Sequence, residues 1–294
     1  MVILVTGASG QLGSDVMQEL KSRGHFCLGT SRKRRKSNDI VLDITDREIV
    51  RRTLQNFKLD AVIHCAAWTD VDGAEDEENK TQVFNTNALG TFNIALACKE
   101  FDIKMIYISS DYVFSGRGTE PWRPDSKTHP INVYGRSKLD GEMAVANLLD
   151  RFFIVRVSWL FGVNGKNFVK TMLEVGQKYP EVSVVDDQIG LPTYTADLAR
   201  LLVDMAESTH YGYYHATSSG PSFISWADFT EDIYRLAKID TPVKRVSTEE
   251  YGLSKAKRPS NSRLDTSKLG ENGFDSLPSY KGAIAHFLRE TNFF

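Results

Sequence analysis

Gly7-Ala8-Ser9-Gly10-Gln11-Leu12-Gly13 stands between a short apolar run, Val2 to Val5, and a segment with helix spacing, Leu12 to Arg23, that stops at Gly24. A second apolar run, Phe26 to Thr30, follows at once. Strand, glycine turn, helix and strand thus fit within about thirty residues, the length of a βαβ unit. Three glycines in seven residues allow a tight turn. They also let the backbone approach a pyrophosphate, whose charge then meets free N–H groups at a helix N-terminus. In this setting the turn predicts a dinucleotide site, and with it the fold.

Outward from that unit, Ala61 to Cys65, Met105 to Ile108 and Phe153 to Val157 read as further buried strands separated by amphipathic stretches. Continuous apolar runs alternating with helices predict an α/β protein, a Rossmann-type doubly wound parallel sheet covered on both faces. After about residue 158 the pattern changes. Turn-rich pieces such as Gly162 to Gly165, Gly190 to Pro192 and Ser218 to Pro221 separate short helices at Asp197 to Glu207, Trp226 to Ala237 and Tyr280 to Arg289. We expect residues 1–158 to form the dinucleotide-binding domain and 159–294 mainly a smaller α/β substrate lobe, partly interleaved with the first.

The 294 residues carry 36 Lys plus Arg against 38 Asp plus Glu, a formal charge of −2. That balance offers no field for steering onto nucleic acid or an anionic membrane. No apolar stretch approaches the length of a membrane span. Cys27, Cys65 and Cys98 are far apart and form no CxxC, so neither a disulfide framework nor a zinc site is suggested. A soluble cytoplasmic protein is expected, and any anion it binds must be held by local features.

The second strand bears on which dinucleotide is bound. An NAD site places an acid about 20 residues beyond the glycines to accept from the ribose 2′-OH, but no acid lies between Glu19 and Asp39. Ser31-Arg32-Lys33-Arg34-Arg35-Lys36 lies there instead. Lys33 to Lys36 read individually as a solvated loop; Arg32, closest to the strand end, suits a 2′-phosphate through charge-assisted hydrogen bonds. NADPH is the expected cofactor, with NADH as the alternative.

Tyr134-Gly135-Arg136-Ser137-Lys138 puts phenol and ammonium one helical turn apart. Spacing alone proves little, since Tyr234 with Lys238 and Tyr251 with Lys255 share it. Tyr134 differs in setting: it follows the strand whose carboxyl end delivers Ser109-Ser110-Asp111, where ligands of open parallel sheets bind. Hydride leaving a nicotinamide for a ketone creates an alkoxide, which needs a proton donor and a hydrogen-bonded cradle. Ser110 would orient the carbonyl and Tyr134 donate the proton. Lys138 would hold the nicotinamide ribose and, with the oxidised ring, lower the phenol pKa towards working pH. His64, in an apolar strand, reads as a satisfied core residue, and the acids Glu75 to Glu78 as a solvated helix start.

The set Thr6 to Gly13, Cys65-Ala66-Ala67-Trp68-Thr69-Asp70-Val71-Asp72, Ser109 to Phe114 and Asn132 to Glu142 resembles the extended short-chain dehydrogenase/reductases. Within them it is most similar to the dTDP-4-dehydrorhamnose reductases. The likeness continues through Ser158-Trp159, Asn167-Phe168, Asp187 to Thr193 and Arg258 to Ser262. It implies that Gly10, Gln11 and Leu12 meet the cofactor pyrophosphate, Asp43 and Ile44 the adenine, and Ala66, Ala67 and Trp68 the dinucleotide backbone. Thr69, Val71, Ser110, Asp111 and Trp159 would face a nucleotide sugar, although the run Val157 to Phe161 also allows a core reading of Trp159. Arg258 suits a diphosphate because its planar fork matches the oxygens. Asn87 could join a proton relay or brace the sheet.

The family commonly carries Thr where this chain has Ser110. Some members bind magnesium at a dimer interface through helix-one acids; only Asp15 offers itself here, so no metal is expected, and a homodimer is left open. The expected reaction is reduction of the C4 ketone of dTDP-4-dehydro-L-rhamnose to dTDP-L-rhamnose. A nucleotide-sugar epimerase or dehydratase of the same superfamily is the enzymatic alternative, although Tyr112 follows Asp111 where such dehydratases carry Glu. A non-catalytic regulatory subunit like that of methionine adenosyltransferase is the other.

Overall fold

The computed structural model describes residues 1–33 and 40–293. Its elements run β1 (Val2–Thr6), α1 (Gln11–Ser22), β2 (Phe26–Ser31), β3 (Ile40–Val41), α2 (Arg47–Gln55), β4 (Ala61–His64), α3 (Glu77–Phe84), α4 (Thr91–Glu100), β5 (Lys104–Ser110), α5 (Val133–Leu148) and β6 (Phe152–Val157). The second half adds α6 (Phe168–Lys178), α7 (Thr195–Glu207), β7 (Gly212–Ala216), α8 (Trp226–Ala237) and α9 (Tyr280–Glu290), with several two-residue strand pairs between them.

The main sheet has the order β3-β2-β1-β4-β5-β6-β7, and each neighbouring pair is parallel. Strand order reverses between β1 and β4, the crevice where doubly wound sheets bind nucleotides. Apolar side chains on both faces explain why the central strands read as unbroken hydrophobic runs. One face shares a core with α1 and α7, through Leu12, Val16, Leu198 and Leu202. The other shares one with α2, α4 and α5, through Val50, Ile94 and Val145.

A second core joins α6, α8 and α9 around Phe161, Tyr194, Phe229 and Phe287. Between its parts the chain returns to the main sheet through α7 and β7, and Leu269, Phe274 and Leu277 join the main-sheet core later still. Local sequence sets several helix starts: Asp46, Asn132 and Asn167 each accept from a backbone N–H three residues on, and Ser225 with Asp228 forms a capping box. No helix among the described residues is long and apolar enough to cross a membrane.

Candidate active site

The carboxyl ends of β1, β4, β5 and β6 open onto one cleft of about 1010 Å³. At one end lies the glycine turn. Gly7 has φ +63°, and a Cβ on Gly13 would sit 2.2 Å from the Gly7 carbonyl oxygen, so any side chain there would push α1 off β1. Helix α1 starts without a side-chain cap, leaving its first-turn N–H groups to meet an anion at the cleft. Gly7, Gly10, Gln11, Leu12 and Gly13 all line this end.

Arg32 and Lys33 are exposed and border the cleft beyond β2; Arg34, Arg35 and Lys36 lie outside the described residues. Asp43 and Ile44 line the wall beside them, with Asp43 held by the backbone and hydroxyl of Thr45 at 2.9 and 2.8 Å. Ala66, Ala67 and Trp68 follow β4 along the floor. Asn87 fixes that stretch: its Oδ1 accepts from the Trp68 N–H at 2.7 Å, and its Nδ2 donates to the Trp68 carbonyl and to Ser137 Oγ. A π-helical segment at Asn85–Gly90 aims this buried amide, which braces the chain after β4.

The reacting end gathers β5, β6 and α5. Ser110, the last residue of β5, donates to Asp111 Oδ1 at 3.0 Å and accepts from the Tyr112 N–H at 3.2 Å. The Tyr134 hydroxyl is within hydrogen-bonding reach of Ser110. Their interaction favours the phenolate, opposing the effect of burial on Tyr134. Asn132 caps α5 ahead of Tyr134, and Glu75 Oε1 accepts from Val133 N at 2.8 Å. Glu75 therefore anchors the helix start, while Glu77 and Glu78 behind it are solvent-facing as the sequence suggests.

Charge at this end departs from the sequence expectation. Burial, followed by the Asp111 charge, holds the Tyr134 phenol above its ordinary value rather than lowering it. Lys138, one turn on, is buried and pushed down to about 7 by desolvation, opposed by the Glu142 carboxylate. Its ammonium sits 4.2 Å over the Tyr107 ring. His64 stacks on that ring at 5.8 Å and bonds Thr6 and Thr91 with its two nitrogens, so it is the satisfied core histidine expected. Burial pushes Asp111 up to about 6, and its Oδ2 has no partner among the described residues.

Thr69, Val71, Asp111 and Trp159 line the same end. Arg258 itself does not, but it borders that lining: its guanidinium donates to Asp72 at 2.6 Å and to the hydroxyl of Tyr112, which does line the cleft, at 3.0 Å. The planar fork is held beside the cleft by a carboxylate of its own chain. Trp159 reconciles its two readings, bordering the cleft while one face packs on Trp226 at 3.8 Å.

The family model for the RmlD substrate binding domain matches residues 1–293. A dTDP-4-dehydrorhamnose reductase from Streptomyces griseus is 37% identical over 287 residues, covering 96% of this chain and 91% of that protein. The chain belongs to the dTDP-4-dehydrorhamnose reductase family. The spore coat polysaccharide biosynthesis protein SpsK of Bacillus subtilis is 36% identical, over 98% of this chain and 97% of its own length. Among solved structures, the dTDP-4-dehydrorhamnose reductase of Bacillus anthracis in complex with NADP superposes with a TM-score of 0.92 at 39% identity, covering 99% of both chains.

Sequence reasoning missed three features of this family member's site. Lys166 borders the cleft from the second half of the chain. Asn164 and Asn167 tie its loop to Ser14 and Gln11 of α1 at 2.8 and 2.9 Å. Trp159 takes φ 51°, a left-handed conformation that costs a bulky residue about 1–3 kcal/mol. Neither a lysine in a polar loop nor a tryptophan after a strand carries a local signal of such placement.

Proposed function

We propose that this chain reduces the C4 ketone of dTDP-4-dehydro-L-rhamnose to dTDP-L-rhamnose with NADPH, Tyr134 supplying the proton. The observation that carries the reading is the convergence of Ser110, Tyr134 and Lys138 at one end of a cleft whose other end is a glycine turn at an uncapped helix. Family membership supports the substrate. The cofactor fits the residues present: α1 N–H groups suit a pyrophosphate, and the exposed Arg32 and Lys33 suit a 2′-phosphate. When bound, the nicotinamide supplies hydride to the carbonyl carbon.

The protein's own groups handle the oxygen. A phenol kept protonated by burial is a proton donor throughout the working range, which is the form reduction consumes. On substrate binding Ser110 would turn its one proton from Asp111 to the same oxygen, as a second donor beside Tyr134. The Lys138 ammonium over Tyr107 gives the phenolate left after proton transfer a nearby cation.

The test is consumption of NADPH in the presence of dTDP-4-dehydro-L-rhamnose made in the same vessel by the enzymes that precede it. Tyr134→Phe should lower kcat about 10²–10⁴-fold with NADPH binding unchanged. Retained turnover in that variant would remove Tyr134 as the acid. No turnover by the wild type, with tight binding to another protein, would favour the regulatory-subunit reading.

A further inference from the structure

We propose that Trp226 is a positioning residue for the sugar: stacked behind Trp159, it holds that indole as a flat apolar platform for the pyranose ring. The inference rests on the nucleotide-sugar reading above and adds how the ring is oriented. It starts from the left-handed backbone of Trp159, which persists only where the surroundings over-determine it. Both chain neighbours are fixed. Ser158 Oγ donates to the Leu191 carbonyl and the Ser158 carbonyl accepts from Thr193 Oγ1, each at 2.7 Å. Leu160–Phe161 then pairs in parallel with Thr193–Tyr194.

What this strain achieves is the aim of one side chain. Val157 is in register with Ser110, so Trp159 emerges two residues past the strand neighbour of the catalytic hydroxyl. It borders the reacting end of the cleft rather than the glycine turn. A hexopyranose presents faces of C–H bonds, and an indole lying flat beside the reacting carbon packs against such a face.

The other face of the indole belongs to Trp226, with ring centroids 3.8 Å apart and planes 17° apart. Trp226 opens α8 directly after the Ser225 capping box and packs on Phe168 at 4.4 Å. At the indole edge, a Cβ on Gly190 would lie 3.2 Å from Trp159 Cε2, so only glycine leaves the ring its present place without displacement. The platform is therefore set from the second core, while the glycine turn is set by β1 and α1. Removing Trp226 loosens the platform and leaves the cofactor end intact.

Trp226→Leu and Trp226→Phe test this, with dTDP-L-rhamnose as probe in calorimetric binding and in the reverse reaction with NADP+. Two stacked indoles couple their transitions, so the wild type should show a paired far-ultraviolet circular dichroism band that both variants lose. Trp226→Leu should raise KM and Kd for the nucleotide sugar about tenfold, the scale of one lost aromatic pair. Affinity for NADPH should be unchanged and kcat less affected than KM. Trp226→Phe, which keeps a ring, should fall between the two. If the leucine variant does not fold, the phenylalanine variant decides alone, and a wild-type KM in either folded variant overturns the role of Trp226. A wild type that binds no dTDP-L-rhamnose would instead overturn the substrate reading.

Discussion

Glu142 and Arg156 form an ion pair with side chains only 2% and 3% exposed. Two bonds close the fork, Nε to Oε1 at 2.8 Å and Nη2 to Oε2 at 2.7 Å. The guanidinium lies between the rings of Phe114 and Tyr213, 4.9 and 5.0 Å from their centroids, and also donates to the Pro124 carbonyl. Glu142→Gln leaves that cation buried without its counter-charge, a change that costs about 3–5 kcal/mol. For 294 residues, an unfolding entropy of about 2.1 cal/mol/K per residue sums to roughly 0.6 kcal/mol/K. The melting temperature should therefore fall by about 5–8 °C. Arg156→Met should cost a similar amount, whereas Glu142→Leu with Arg156→Met removes both charges and should recover most of the loss. Thermal unfolding at neutral pH reads all three. The reasoning fails if Glu142→Gln shifts the midpoint by less than about 2 °C or the double variant is no better than the singles. A functional arm accompanies it. Glu142 supports the Lys138 ammonium, so Glu142→Gln should move the alkaline fall in activity, expected near the Lys138 value of about 7, to lower pH.

Arg32→Asp should reverse cofactor preference, weakening NADPH by about tenfold or more while leaving or improving NADH; equal efficiency with both cofactors before and after the change would dismiss Arg32 from 2′-phosphate binding. Stability should fall as the medium is acidified. Burial pushes His64 and His215 down to about 3, so between about 6.5 and 3 the unfolded chain binds protons that the native state does not. Their contribution is complete above about pH 6.5 and is lost on the way to 3, which urea titrations across that range would follow; a flat profile would mean that neither ring is held neutral.

The parts of the site that were readable in the sequence are those encoded over short spans. Gly7 to Gly13 is one turn, Tyr134 to Lys138 one helical repeat, and Ser110 the end of one apolar strand. All of the expected site residues but Arg258 line the cleft. Arg258 shows where local reading stops: a fork that suits a diphosphate suits a carboxylate equally, and Asp72 lies 186 positions away. The Trp159–Trp226 stack and the Glu142–Arg156 pair are likewise long-range packing facts. Strand β7, Gly-Tyr-Tyr-His-Ala, escaped because it shows neither alternation nor an apolar run. Desolvation of the Tyr134 phenol itself reversed the expected direction there for a related reason: it is a property of the assembled core, not of spacing.

The return of α7 to the main sheet bears on how the chain is made. The apolar stripe of α1, Leu12, Val16 and Leu20, shares its core with Leu198, Leu202 and Met205 of α7. At about 5–20 residues per second, a ribosome takes roughly ten to thirty seconds to travel from the end of α1 to the start of α7. For that interval the nascent α1 has only the strands of the sheet to dock on, and the part of its apolar stripe that α7 covers stays open. The helix that carries the first ligand-binding motif to be synthesised is thus covered late on one side, leaving a window in which a holdase chaperone would find an exposed apolar stripe.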